Sequence, residues 1–182
     1  MSGRLVILSG PSGVGKDSVL DAWKAEDSSV RRVVAYTTRA HRQGEVDGVD
    51  YHFVSRERFN ELIREGAFLE HKEVFGNGYA TPLHDMEAML ASGFMAVLKI
   101  DVQGALTAMH LRPDALSIFL LPPSREELER RIRGRGTDSE EVIEKRLRHA
   151  AAEIELSSHY MHQVVNQDVA QAVTDIKKIL AR

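Results

Sequence analysis

The chain has 182 residues, of which 43% are hydrophobic, 28% are charged and 6% are aromatic. This composition excludes a chain that is disordered as a whole, because so much apolar surface offsets the conformational entropy lost on folding. A formal net charge of −3 provides no overall basic field for a nucleic-acid backbone, so DNA and RNA are not expected as partners.

The apolar runs of the sequence are short. Residues 94–98 and 116–121 fall well below the ~20 residues that a membrane-spanning helix needs, so they are interpreted as buried strands. The sequence contains no cysteine, which excludes disulfides and thiolate metal sites, and its beginning lacks the pattern of a secretory signal peptide. A cytoplasmic protein with no membrane partner is the expectation.

Hydrophobic periodicity predicts strands and helices that alternate along the chain. The predicted strands are residues 5–8, 30–37, 51–54, 97–100, 116–121 and 163–166. The predicted helices are residues 17–25, 57–65, 86–92, 104–110, 125–133, 140–154 and 169–180. This alternation is typical of an α/β fold with a parallel sheet, and residues 36–81, which are richer in short strands, are predicted to form an inserted lobe.

Two helix starts carry capping signals. Ser124 with Glu127 three residues later predicts a capping box, in which each side chain satisfies a backbone N–H of the other residue. Thr137 or Ser139 precedes Glu140 and Glu141, and one of the two hydroxyl residues is expected to cap the long helix that follows.

A glycine-rich loop lies between the first predicted strand and the first predicted helix, and it reads Gly10, Pro11, Ser12, Gly13, Val14, Gly15, Lys16. In this context the pattern predicts a P-loop, whose backbone N–H groups and lysine bind nucleotide phosphates. The pattern next requires a Ser or Thr for magnesium, but Asp17 stands there and Ser18 follows. Asp17 either binds the metal or caps the helix, in which case Ser18 or water serves the metal.

Five further segments occur in the order found in guanylate kinases: residues 36–51, 68–70, 76–82, 100–105 and 131–138. With the P-loop they make the chain resemble that family from the first strand to the last helix. The resemblance implies a parallel-sheet P-loop kinase core with an inserted GMP-binding lobe and a helical lid. It further implies ATP and Mg²⁺ as cofactors, with ATP-dependent phosphorylation of GMP that yields GDP and ADP.

Within one domain, the core is expected at residues 1–34, 83–124 and 150–182, the GMP-binding lobe at 35–82 and the lid at 125–149. The resemblance assigns GMP binding to Arg39, Arg42, Glu45, Tyr51, Glu70, Tyr79, Thr81 and Asp101. It assigns catalysis to Lys16, Arg39, Arg131, Arg135 and Arg146, and ATP binding to the P-loop, Asp17, Ser18 and Asn166. The metal is assigned to Asp17 and Ser18.

The residue chemistry agrees with two of these assignments. Arg39 and Arg42 are spaced to converge on a phosphate that carries nearly two negative charges. The carboxylate of Glu70 can accept hydrogen bonds from the N1–H and the exocyclic amine of guanine, a pair of donors that adenine lacks. Specificity for guanine is therefore expected to depend on Glu70.

The sequence departs from the family pattern at Ala35, His41, Gly78 and Lys99, where serine, proline, tyrosine and an acidic residue are usual. Lys99 is basic where the family is acidic, and Asp17 is acidic where the P-loop pattern has a hydroxyl, so the positive and negative charges of the site are exchanged relative to the family. Two other functions remain open: a binding module of the same fold that has lost catalysis, and a kinase acting on ribose 1,5-bisphosphate. The retained P-loop lysine and arginines argue against the first, and the residues assigned to guanine argue against the second.

Overall fold

The structure is a computed structural model that describes residues 3–74, 76–134 and 139–181. Within these ranges the core is a sheet of five parallel strands. Across the sheet they are β2 (Val30–Arg32), β7 (Met95–Lys99), β1 (Arg4–Ser9), β8 (Leu116–Leu121) and β9 (His162–Val165). Because all five strands run the same way, their carboxyl ends meet at one edge, which is where sheets of this kind bind ligands.

One face of the sheet is covered by α1 (Lys16–Glu26) and α7 (Val169–Leu180). Val6 and Leu8 of the central strand β1 point to this face, where Trp23 of α1 is fully buried with them. Side chains alternate between faces along a strand, so every second residue of β1 contributes to this cluster. The packing fixes the start of α1 at the edge of the sheet where β1 ends.

The opposite face is covered by α3 (Leu83–Ala91) and α4 (Val102–Leu111). Leu5 and Ile7, the alternate residues of β1, point to it and are buried. Burial on both faces explains why β1 is apolar throughout its middle, as expected for a central strand of a parallel sheet.

A second sheet of four strands lies within residues 36–82 of the described chain. Across this sheet the strands are β4 (His52–Phe53), β3 (Tyr36–Thr37), β6 (Asn77–Pro82) and β5 (Phe68–Val74). Helix α2 (Arg56–Arg64) packs its buried Phe59 against the ring of Phe68 on β5. The antiparallel pair β5–β6 has no counterpart among the predicted strands.

The single strand predicted over residues 30–37 is wrong, because the chain changes sheets inside that run. Val30 to Arg32 pair with β7, whereas Tyr36 pairs with His52 and Ala80 of the second sheet. A run of β-forming residues fixes an extended backbone but does not determine which partner strand it joins.

The capping predictions are confirmed at their hydroxyl groups. Ser124 Oγ accepts the N–H of Glu127 (3.1 Å) at the start of α5 (Arg125–Arg133), and Ser139 Oγ accepts the N–H of Val142 (3.4 Å) at the start of α6 (Glu140–Glu155). The reciprocal half of the predicted capping box is wrong, because the Glu127 carboxylate binds Arg130 and Arg131 instead. Thr137 lies outside the described residues.

A short 3₁₀ helix, Leu156–His159, connects α6 to β9. Across the described ranges, no helix combines the length and the apolar character that crossing a membrane requires.

Candidate active site

A cleft opens between the carboxyl ends of the parallel strands and the second sheet. Its floor is the loop between β1 and α1, contributed by Gly10, Ser12, Gly13 and Gly15 with Lys16, Asp17 and Ser18 of the helix start. Gly15 has a φ of +99°, and a Cβ there would lie 2.6 Å from Asn166 Nδ2. A Cβ on Gly10 would lie 2.5 Å from the carbonyl oxygen of Leu120. Only glycine fits at either place.

The loop is anchored from behind by residues that lie outside the described lining of the cleft. The carbonyl oxygen of Val14 accepts hydrogen bonds from Asn166 Nδ2 (2.8 Å) and from the Arg131 guanidinium (3.1 Å). Arg131 also binds the carbonyl oxygen of Asn166 (3.0 Å) and the carboxylate of Glu127 (2.8 Å). In this structure Asn166 and Arg131 therefore hold the shape of the loop.

Lys16 is the main cation of the loop. Its ammonium donates to the carbonyl oxygens of Gly10 (2.5 Å) and Pro11 (3.1 Å), so it lies folded over the loop backbone. Burial lowers the pKa of Lys16 to about 8. Glu153 of α6 lines the same cleft, and burial raises the pKa of its carboxyl group. Among the described residues Glu153 Oε2 has no hydrogen-bond partner.

On the side of the second sheet, Glu45 organises the segment that carries the predicted phosphate-binding arginines. Its carboxylate receives two hydrogen bonds from the Arg39 guanidinium (2.6 and 3.0 Å) and one from the backbone N–H of Arg42 (2.8 Å). The hydrogen bonds from Arg39 are the main reason that the pKa of Glu45 is lowered. Arg39 lies behind the cleft, whereas Arg42 lines it.

Two tyrosines line the cleft beside Arg42. The rings of Tyr51 and Tyr79 meet edge-on, 5.9 Å apart between centroids, and the Arg39 guanidinium lies 5.5 Å from the centre of the Tyr51 ring. Burial raises the pKa of Tyr51, which keeps its hydroxyl protonated as a hydrogen-bond donor.

Glu70 on β5 is a buried carboxylate that also lines the cleft and is only 6% exposed. Burial raises the pKa of Glu70, and the hydroxyl of Thr81 donates to it across the β5–β6 pair (2.6 Å). Asp101 caps α4 by accepting the N–H of Gly104 (2.7 Å). A Cβ on Gly104 would lie 3.0 Å from Glu70 Oε2, so the glycine admits both carboxylates to one corner.

At the start of α1, the Asp17 carboxylate binds the ammonium of Lys99, the last residue of β7. Desolvation opposes ionisation of Asp17, but Lys99 lowers the pKa of this carboxyl group by its charge and by the hydrogen bond. No side chain caps the start of α1, although Asp17 lies in its first turn, where the helix dipole favours a carboxylate. Ser18 lines the cleft beside it.

The cleft thus brings together most of the predicted site residues. Those that line it are Gly10, Ser12, Gly13, Gly15, Lys16, Asp17, Ser18, Arg42, Tyr51, Glu70, Tyr79 and Asp101. Those outside its described lining are Pro11, Val14, Arg39, Glu45, Thr81, Asn166, Arg131 and Arg146, the last of which is half-buried on α6. Arg135 lies outside the described residues.

Three ionisable lining residues were missed from the sequence, Lys72, His149 and Glu153, and so was the apolar Val74. His149 and Glu153 are four residues apart on α6, a spacing that puts them on one helix face. Nothing in the local sequence indicates that this face meets the P-loop. Ala35, where the family has a serine, also lines the cleft and brings no hydroxyl to it.

Comparisons with known proteins agree with the geometry. A family model described as guanylate kinase matches residues 2–182. Guanylate kinases of Alkalilimnicola ehrlichii and Streptococcus thermophilus are 45% and 49% identical over 179 residues, which is 98% of this chain and 88% and 86% of theirs. The crystal structure of guanylate kinase from Anaplasma phagocytophilum has a TM-score of 0.81 at 36% identity and covers 99% of this chain and 85% of that one.

Proposed function

The chain belongs to the guanylate kinase family and transfers a phosphoryl group from ATP to GMP, and we propose how the residues of its cleft share that work. The proposal rests mainly on one observation: the buried carboxylate of Glu70 and the ammonium of Lys16 line the same cleft. The carboxylate can accept hydrogen bonds from guanine and the ammonium can bind phosphate, so one cleft contains groups for both nucleotides.

The P-loop binds the ATP phosphates. The backbone N–H groups of the loop and the start of α1 face the phosphates, and Lys16 leaves the carbonyl oxygens of Gly10 and Pro11 to bind them. A phosphate restores a full charge partner to the buried ammonium. Lys16 then stabilises the negative charge on the phosphoryl group as it is transferred.

GMP lies between the second sheet and α4. Glu70 accepts the N1–H and amine of guanine, with Thr81 and Asp101 fixing that corner, while Arg42, Tyr51 and Tyr79 hold the phosphate. The reaction needs no activated side chain, because a phosphate oxygen of GMP is already anionic and attacks the γ-phosphorus in line. Positioning of the two nucleotides supplies the catalysis.

Asp17 and Ser18 would hold the Mg²⁺ that accompanies ATP. The carboxylate of Asp17 and the hydroxyl of Ser18 are oxygen donors of the kind Mg²⁺ prefers, and both line the cleft beside Lys16, so they fit a metal that keeps most of its waters. When bound, the ion neutralises phosphate charge.

Residues 35–82 serve as the GMP-binding lobe and residues 125–149 as the lid over a core of 1–34, 83–124 and 150–182. Closure of the lid brings Arg146 of α6 towards the phosphates and excludes water, which suppresses hydrolysis of ATP. Arg131 contributes by holding Val14 and so the P-loop.

The experiment is an acceptor panel with ATP as donor. ADP formation is measured with GMP, AMP and ribose 1,5-bisphosphate, and Lys16→Met serves as the inactive control. We expect GMP to be preferred over both others by at least ~10²-fold in kcat/KM. Faster turnover of ribose 1,5-bisphosphate, or activity that survives in Lys16→Met, would contradict the assignment.

A further inference from the structure

Lys99 is a cation of the cleft to which the mechanism above gives no task. Side chains alternate along β7, so Val97 and Lys99 point to the sheet face that α1 covers, and Lys99 emerges beside the first turn of that helix. Its side chain is only 8% exposed, whereas that of its partner Asp17 is 68% exposed. A buried ammonium needs a counter-charge far more than an exposed carboxylate does.

Lys99 lies between the P-loop and Tyr51, to which the proposed function assigns the ATP phosphates and the GMP phosphate. In the sheet it is the register partner of Leu8, close to where β1 gives way to the P-loop. Its ammonium lies 5.9 Å from the centre of the Tyr51 ring, which belongs to the GMP-binding lobe. Lys16 lies near enough for the two ammonium groups to repel each other. The ATP phosphates on the P-loop and the GMP phosphate beside Tyr51 would therefore meet next to Lys99.

We propose that Lys99 binds the phosphoryl group in transit between ATP and GMP, and that Asp17 holds its ammonium while the cleft is empty. This inference rests on the proposed function. The ammonium exchanges one anionic partner for another, and Asp17, whose side chain is 68% exposed, is freed for water or for Mg²⁺ at little cost. Lys99 stays protonated throughout: a GMP oxygen forms the new bond to phosphorus, the bond to the bridging oxygen of ADP breaks, and its electron pair leaves with ADP.

The test uses a ligand that occupies both nucleotide sites and the space between them. A compound that joins adenosine and guanosine through five phosphates places phosphate at both sites and between them, whereas ADP or GMP alone leaves the middle empty. Binding is measured by isothermal titration in EDTA, so that no metal contributes. The variants are Lys99→Met, Lys99→Arg and Asp17→Ser. Lys24→Met, an exposed lysine on the same helix as Asp17, is the matched control.

We expect Lys99→Met to lose about 10- to 100-fold in affinity for the five-phosphate compound, since a charge-assisted hydrogen bond is lost, while ADP and GMP alone bind within threefold of the parent. Lys99→Arg should recover most of the affinity. Asp17→Ser should keep or increase it, because the competing carboxylate is gone. In turnover, Lys99→Met should lower kcat more than it raises either KM.

Two results would overturn the inference. If Lys99→Met bound the five-phosphate compound as tightly as the parent, Lys99 would not contact the transferred group. If Asp17→Ser and Lys99→Met lost the same affinity, the pair would be a structural link only. Failure of the parent itself to bind GMP or the compound would instead refute the proposed function, so the two failures are distinguishable.

Discussion

Replacing Glu70 by alanine is the most direct test of guanine recognition in this cleft. Glu70 is 6% exposed, and its Oε1 receives the Thr81 hydroxyl at 2.6 Å. Its carboxylate is the charged acceptor for two guanine donors, and each such bond contributes about 1.5–3 kcal/mol. The burial that raises the pKa of Glu70 opposes its ionisation, which offsets part of that gain.

The net loss on Glu70→Ala is therefore about one charged hydrogen bond, or ~3 kcal/mol, which corresponds to a ~10²-fold fall in kcat/KM for GMP. AMP should gain little, because removing a carboxylate creates no donor for adenine. Glu70→Gln should also lose most of the activity, because the amide presents an NH₂ group where guanine presents another.

The assay is steady-state kinetics with GMP and with AMP at saturating ATP, together with thermal unfolding to establish that each variant is folded. Glu73→Ala is the matched control, since Glu73 lies on the same strand but its side chain is 64% exposed, and it should leave kcat/KM unchanged. A folded Glu70→Ala protein that keeps the parent's preference for GMP would refute the assignment of guanine to Glu70.

The other predictions concern the phosphate sites. Arg42→Ala or Tyr79→Phe should raise KM for GMP much more than KM for ATP, because the proposed function assigns both cleft-lining residues to the acceptor phosphate. Isothermal titration that finds ATP affinity lost instead, with GMP affinity intact, would reverse the assignment of the two sites. Burial lowers the pKa of Lys16 to about 8. Above that pH the free amine must take up a proton before it binds phosphate, so the affinity for ADP, measured by titration calorimetry, should fall as pH rises through that value. Lys16→Met should not show this fall. Asp17→Asn should raise the magnesium concentration needed for half-maximal rate, whereas Asp17→Ser should restore an ordinary magnesium requirement. A magnesium titration of Asp17→Asn that overlays the parent curve would refute the role of Asp17 in metal binding.

Local chemistry in the sequence was sufficient for the parts of this protein that depend on neighbouring residues. The glycines and lysine at 10–16, read between a strand and a helix, predicted a phosphate loop, and the last helix, Val169–Leu180, was predicted to the residue. Ser124 was identified as a cap because a hydroxyl needs only a backbone N–H three positions away. The order of five motifs identified the family, which the comparisons confirm.

Tertiary structure decided whatever depends on residues that are distant in the chain. Asp17 and Lys99, 82 positions apart, become partners only because β7 lies beside β1 in the parallel sheet. Likewise, residues 30–37 divide between two sheets because Tyr36 finds its partners near positions 52 and 80. Spacing along the chain fixes which face of a helix or strand a side chain occupies, but packing of whole elements determines what that face meets, and no local pattern encodes it.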